Sequence, residues 1–275
     1  MPGVSAFPLL SLAHLTVLPA GPLELIDAAA SAGFDAIGLR IQPPLPTDTI
    51  TPVVGNVPLL REIKSRLSQT GISIVDVEAF WLMPHTSVEG LRPAMETAVE
   101  LGARHVLIVG NDPDRARVTE RFAALCSMCA EFALRPMLEF IPYTFIRSLP
   151  EAHAFLVASG AVNSGILIDA LHLSRSGGSP ADIPQYPADL FSYVHLCDAP
   201  ATPPAAEELR SEARGNRLDP GEGELWLKEF IKALPAGTPV AVEIPSTRHA
   251  HLAPAARAKL TIKLTRELYR SLDDV

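Results

Sequence analysis

Four apolar runs in the second half of the chain end in side chains that can bind a metal ion: Glu139 in PMLEF, Asp169 in ILIDALH, His195 in SYVHLCD and Glu243 in VAVEIPS. An ionisable group at the end of an apolar run is costly to bury unless it is paired or holds a metal. Three carboxylates and one imidazole, with no thiolate, form a hard to borderline donor set. Such a set favours Mn²⁺, Mg²⁺ or Co²⁺, admits Zn²⁺ and Fe²⁺, and differs from a structural zinc site built on cysteine. One divalent ion, Mn²⁺ first among these, is the expected cofactor. With four protein ligands, a larger coordination shell keeps places for two substrate oxygens, so the carbonyl of a bound hydroxy-ketone would be polarised. Any one of these residues taken alone could as well cap a helix or pair with a nearby cation. Their recurrence in four successive runs is what points to a single ion.

Other residues could complete such a site. His172 lies three residues after Asp169, in D-A-L-H, where it could contact substrate, support a ligand, or simply open a helix. Arg217, in RGNRLDPGEGELWLKEF, is expected in a loop above the site, either solvated or holding a substrate oxyanion or carboxylate. In the turn formed by Pro220, Gly221 and Gly223, Glu222 is expected to bond backbone amides. Asp198 could equally cap its loop or orient the ring of His195. His14 and Arg40 stand at the ends of the first two apolar runs, as substrate contacts or as core and salt-bridge residues. Phe80, Trp81, Leu82 and Met83 follow the third run, and Phe140, Ile141, Tyr143 and Phe145 the fifth. An apolar mouth is expected from them, with Trp81 a substrate contact. Such a mouth suits a less polar or cyclic ketone better than a free sugar.

These residues must be brought together by the elements that carry them. Short apolar runs alternate along the chain with longer amphipathic segments, the pattern of parallel βα units. Eight runs read as strands, at 9–15, 36–41, 72–80, 105–110, 135–140, 165–170, 191–197 and 239–244. Helices are expected at 22–33, 57–69, 88–102, 114–133, 149–159, 181–188, 224–233 and 253–272. Gly33, Gly71, Gly102 and Gly160 stand where four of them should stop. Eight units predict a (β/α)₈ TIM barrel, whose strand ends converge on one mouth. The competing open sheet needs a Gly-rich turn after its first strand, and AHLTVLPAGPLE has none. The proline-rich stretches 43–53 and 199–220 fall on the strand-to-helix side, where barrel enzymes build their sites.

A chain of 275 residues, 48% hydrophobic and 20% charged, can bury one large core, so a single domain over 1–275 is expected. The formal net charge of −8 offers no field to attract a phosphate backbone, which argues against nucleic acid as a partner. No apolar run approaches the roughly 18 residues of a membrane span. MPGVSAFPLLSLAHLTV has no basic residue ahead of its apolar stretch, unlike a secretory signal. A soluble, cytoplasmic protein acting on a small molecule is therefore expected. Cys126 and Cys129 form C-x-x-C inside a helical pattern and are read as buried small apolar residues.

The ordered set of Glu139, Asp169 with His172, His195, Arg217 with P-G-E-G, and Glu243 resembles the xylose isomerase-like TIM-barrel superfamily, sugar-phosphate isomerases and epimerases, over nearly the whole chain. The resemblance implies metal ligation by Glu139, Asp169, His195 and Glu243. It further implies that Glu139 and Glu243 are the catalytic acid/base pair, moving protons on opposite faces of a substrate carbon through a cis-enediolate. Dehydroshikimate dehydratases of this group carry a histidine two residues after the strand-five glutamate; Ile141 here counts against that activity. The multi-zinc endonucleases need further histidines, and the acidic charge disfavours DNA. A metal-dependent isomerase or epimerase leads, ahead of a lyase with the same chemistry and a non-catalytic metal-binding barrel subunit. Oligomers are common in the family and a homodimer is expected, though no feature of the chain itself points to one.

Overall fold

Runs such as HVLIVG and GILID are apolar at every position, as a strand covered on both faces must be. The computed structural model describes residues 7–272. Residues 1–6 and 273–275, the outer ends of the expected domain and the start of the stretch read for a secretory signal, lie outside the described residues. Eight parallel strands pair in sequence order and close on themselves: β1 (Leu10–Leu12), β2 (Ala36–Leu39), β3 (Ser73–Leu82), β4 (His105–Gly110), β5 (Arg135–Glu139), β6 (Gly165–Asp169), β7 (Val194–Leu196) and β8 (Val240–Val242). β8 returns to β1 with Leu12 level with Val242, which removes the open-sheet alternative. Parallel neighbours need long crossovers, and helices supply them: α1 (Pro22–Ala32), α2 (Val57–Thr70), α3 (Arg92–Glu100), α4 (Arg115–Glu131), α5 (Leu149–Ser159), α6 (Ala170–Arg175), α7 (Leu209–Gly215), α8 (Leu227–Ala233) and α9 (Pro254–Arg270).

Side chains alternate along each strand. Ile108, Leu138, Ile166, Val194 and Val242 turn outward into the core between barrel and helices. Leu107, Met137, Leu167, Tyr193 and Ala241 turn inward and fill the lumen. The four glycines expected to stop helices all take left-handed backbone, with φ from 65° to 87°. Cys126 and Cys129 are free and buried in α4. Among the described residues no helix is long and apolar enough to cross a membrane.

Several expected elements change. The helix expected at 181–188 is a 3-10 turn, Pro180–Gln185, with Pro184 inside it. The helix expected from residue 88 opens as a 3-10 turn, Glu89–Leu91, and the one expected at 224–233 begins only at Leu227. β3 runs two residues further than read, so Trp81 and Leu82 are strand rather than loop. Two helices fall outside the eight expected spans. α6 starts on the last residue of β6, where Asp169 caps it by accepting from the His172 amide at 3.1 Å. α7 lies within the proline-rich stretch read as loop.

His105 opens β4 with its ring against Tyr193 and its Nδ1 3.0 Å from the Val75 carbonyl. Burial holds its pKa down at about 4 from 6.5. Between these values the unfolded chain binds a proton here and the folded chain does not, so stability falls as pH drops through that window. His105→Gln keeps a donor to Val75 and removes the titration. The variant should lose about 2–3 kcal/mol less than the wild type over that acidification, read from urea midpoints at each pH. Parallel curves for the two proteins would show that His105 is not held neutral.

Candidate metal centre and active site

Glu139, Asp169, His195 and Glu243 each stand two residues beyond an inward lumen residue, namely Met137, Leu167, Tyr193 and Ala241. The period of two turns all four inward, into one layer above the lumen plug. Asp169 lies level with His195, and His195 level with Ala241. All four are buried, and one ligand atom from each lies within 4.8 Å of the others. His195 Nδ1 is 3.4 Å from Glu243 Oε2, 3.7 Å from Glu139 Oε1 and 3.9 Å from Asp169 Oδ2. Glu139 Oε1 and both ring nitrogens of His195 have no hydrogen-bond partner. Buried polar atoms left this way are expensive, and a cation among them would satisfy them together. The cluster can therefore hold a metal ion, and its oxygen-rich donor set suits the ions expected from sequence.

Without an ion the cluster is balanced by charge. Burial alone would push the His195 pKa down, but Glu243 and Glu139 together raise it well above the histidine range. Burial would also favour neutral Glu243 and Asp169. For Glu243, His195 and Arg217 outweigh it; for Asp169, Arg217 and His172 do, so both carboxyls are held below their ordinary range.

Arg217 does not stand above the mouth. It is only 2% exposed, with Nη1 donating to Asp169 Oδ2 at 2.5 Å, Nη2 3.0 Å from Glu243 Oε2, and Nε donating to the Ala213 carbonyl at 2.9 Å. Its loop is drawn down by backbone bridges pairing Leu218 with Asp198 and Asn216 with Ser246. Asp198, not Glu222, organises the following turn, accepting from the amides of Ala199, Gly221, Gly223 and Leu225 at 2.8–3.0 Å. A Cβ on Gly223 would lie 2.4 Å from Asp198 Oδ1, so this approach requires glycine. Glu222 instead pairs with Arg248 at 2.9 Å, because Asp198 already occupies the amides.

A narrow cleft opens above the cluster. Glu139, Glu243, His172, Arg217 and Trp81 all line it. His172 is buried in the first turn of α6, with Nε2 4.0 Å from Glu139 Oε1 and the Tyr143 ring edge-on to its own. Of the expected apolar mouth, Trp81, Ile141 and Tyr143 face the cleft. Phe80, Leu82 and Phe140 turn outward into the main core by strand alternation, Met83 is half-buried to one side, and Phe145 is exposed. Leu107 and Val109 of β4 take their place. His14 is not free to contact substrate: its Nδ1 accepts from the Arg40 amide at 3.1 Å and its Nε2 donates to the Ala20 carbonyl at 2.9 Å. Burial, the largest influence, lowers its pKa to about 4 and keeps this neutral form.

Sequence reasoning missed two acids in β3. Asp76 and Glu78 both turn into the barrel, in the space left by Gly38, where a Cβ would meet Asp76 Oδ1 at 2.8 Å. With His195 they form a second group whose ligand atoms lie within 4.8 Å. Burial, then the neighbouring Glu78, raises the Asp76 pKa well above the carboxylate range; burial also raises Glu78. The available signal was an acid inside an apolar strand, but the register shift in β3 hides which face it occupies. Arg214 was also missed; it lines the cleft from α7 and pairs with Asp48 at 2.7 Å.

The profile of the family described as xylose isomerase-like TIM barrel matches residues 26–268. No curated protein matches the chain in sequence. Among solved structures, the chain is similar to the IolI protein with a bound zinc atom, at TM-score 0.77 and 15% identity over 96% of this chain and 98% of that one. It is similar to the 3-keto-D-glucoside 4-epimerase YcjR from E. coli, at TM-score 0.71 and 17% identity over 95% and 100%. It is also similar to the probable 3-DHS dehydratase AsbF from Bacillus anthracis, at TM-score 0.72 and 16% identity over 91% and 97%. At these identities the structures share the fold.

Proposed function

Because the chain belongs to the xylose isomerase-like TIM barrel family, we propose that it is a divalent-metal-dependent isomerase or epimerase that moves a proton on a small hydroxy-ketone through an enediolate. The observation that carries this reading is the convergence of Glu139, Asp169, His195 and Glu243, with orphaned buried atoms, beneath an open cleft. These four residues would hold the ion, with Mn²⁺ expected first. When bound, it supplies a Lewis acid for the substrate carbonyl.

The chain's own residues do the rest. Glu243, held anionic by Arg217 with Nη2 3.0 Å from its Oε2, takes the proton from the substrate carbon as a general base. Glu139 acts as the acid of the pair: it gives its carboxyl proton to the carbon and becomes the carboxylate as Glu243 becomes the carboxylic acid, and the pair resets by exchange with solvent. Arg217 keeps Asp169 and Glu243 ionised and in place. Trp81, Ile141 and Tyr143 wall the cleft and keep water from the carbanionic carbon.

The relatives support this reading without deciding the substrate. YcjR is an epimerase and IolI carries zinc on the same fold, while AsbF, a probable dehydratase, motivates a lyase as the second reading. Ile141 faces the cleft and offers no proton to a leaving group, which favours the isomerase. The open cleft above the cluster also argues against a purely structural metal subunit. We place the protein in the cytoplasm, a compartment that suits its free cysteines. The test is deuterium uptake from D₂O into a panel of hydroxy-ketones, followed by NMR. Uptake without loss of a group supports the isomerase, whereas an unsaturated product would replace it with the lyase.

A further inference from the structure

Three arginines line the cleft, and they differ in one respect. Arg217 is engaged by Asp169 and Glu243, and Arg214 by Asp48. Arg40, just beyond β2, is 5% exposed, yet its Nε and Nη1 have no hydrogen-bond partner. Its charge opposes the effect of burial on the Glu78 and Glu243 carboxyls, but no acceptor among the described residues takes a hydrogen bond from Nε or Nη1; its backbone amide is tied to His14 Nδ1. An arginine cannot escape burial by losing its proton, so donors left without acceptors in a cleft are a standing cost unless a ligand completes them. The guanidinium is a planar fork of donors matched to two oxygens of one carboxylate.

The rest of the lining points the same way. Apart from the charged groups and His172, it offers one hydroxyl, from Tyr143, and the indole N–H of Trp81; no Ser, Thr, Asn or Gln is present to serve the many hydroxyls of a free sugar. The charges of Glu78, Glu139, Asp169 and Glu243 are balanced by Arg40, Arg217 and one divalent ion, so an entering anion meets no net repulsion.

We propose that Arg40 is the anchor of an anion subsite in this cleft, and that the substrate is a small hydroxy-carbonyl compound bearing a carboxylate. The hydroxy-carbonyl part rests on the function proposed above; the anion subsite stands on Arg40 and the cleft. Arg40 binds and positions the carboxylate while the carbon chain reaches toward Glu139 and Glu243.

The test compares glycerate with glycerol, its uncharged counterpart, by calorimetric titration of the full chain loaded with Mn²⁺ and of the metal-free chain. Wild type, Arg40→Met, Arg40→Lys and, as a control, Arg214→Met are compared, with metal content measured in each. Wild type should prefer glycerate, and Arg40→Met should lose about tenfold to hundredfold of that preference with its metal intact. Arg40→Lys should recover part of it, and Arg214→Met should keep it. Because Arg40 also offsets the buried charge of Glu78, urea midpoints are measured for every variant and the glycerate preference is read on folded, metal-loaded protein. The proposal is overturned if wild type shows no preference or binds no glycerate, if Arg40→Met keeps the preference, or, should that variant not fold, if Arg40→Lys keeps all of it. A glycerate preference without deuterium exchange on any hydroxy-ketone leaves the subsite standing and removes the proton-transfer reading; the reverse pattern removes the subsite alone.

Discussion

Glu243→Gln should slow deuterium exchange into the reactive hydroxy-ketone by about 10²–10⁴-fold, the usual contribution of a positioned general base. The amide matches the carboxylate in shape and keeps an oxygen toward the cluster, but it cannot accept a proton at any working pH. It also loses charge where charge is concentrated: Glu243 faces His195 Nδ1 at 3.4 Å and Arg217 Nη2 at 3.0 Å. Replacing it removes a partner from both cations, so looser metal binding should accompany the slower exchange. Exchange is therefore measured at saturating metal, by following the substrate C–H signal in D₂O. A fall of less than about tenfold there would remove Glu243 from the role of base.

Arg217→Met should destabilise the metal-free protein by about 3–5 kcal/mol, the usual cost of leaving one half of a buried ion pair behind. The guanidinium lies between Asp169 and Glu243, which are themselves 0% and 5% exposed, and without it His195 is left to offset two buried carboxylates. A divalent ion supplies positive charge to the same two side chains. The loss should therefore shrink when metal is present, and the variant should bind metal more tightly than the wild type because a competing cation has gone. Urea midpoints with chelator and with Mn²⁺ read the first effect, and competition with a metal indicator reads the second. An equal loss in both conditions would mean that Arg217 holds its loop rather than the ligands.

The parts of this protein legible in its sequence are those decided within a few residues. Runs such as HVLIVG and GILID declare strands buried on both faces, and a single polar residue closing PMLEF or VAVEI marks the strand end facing the mouth. What escaped depends on distant partners or on which face a residue occupies. α6 was hidden because Asp169 both ends a strand and caps the helix that follows, leaving no gap between them. α7 was hidden within a proline-rich stretch. The burial of Arg217 depends on an aspartate 48 positions away in sequence, which no local pattern reports. The aromatic mouth was over-read for a related reason. Phe80 and Trp81 are neighbours in sequence, but alternation turns one into the core and the other into the cleft. The same ambiguity concealed Asp76 and Glu78, which share the barrel interior across an irregular stretch of β3.

The central claim is that one divalent ion is held by Glu139, Asp169, His195 and Glu243, and elemental mass spectrometry of the purified protein tests it most directly. Wild type is compared with Glu243→Gln and His195→Ala, each as isolated and after reconstitution with Mn, Co, Mg, Fe or Zn. The account predicts a single divalent ion per chain in the wild type, with occupancy lost or much reduced in both variants. Absence of metal from the wild type after reconstitution with every ion, or full occupancy in both variants, would contradict it.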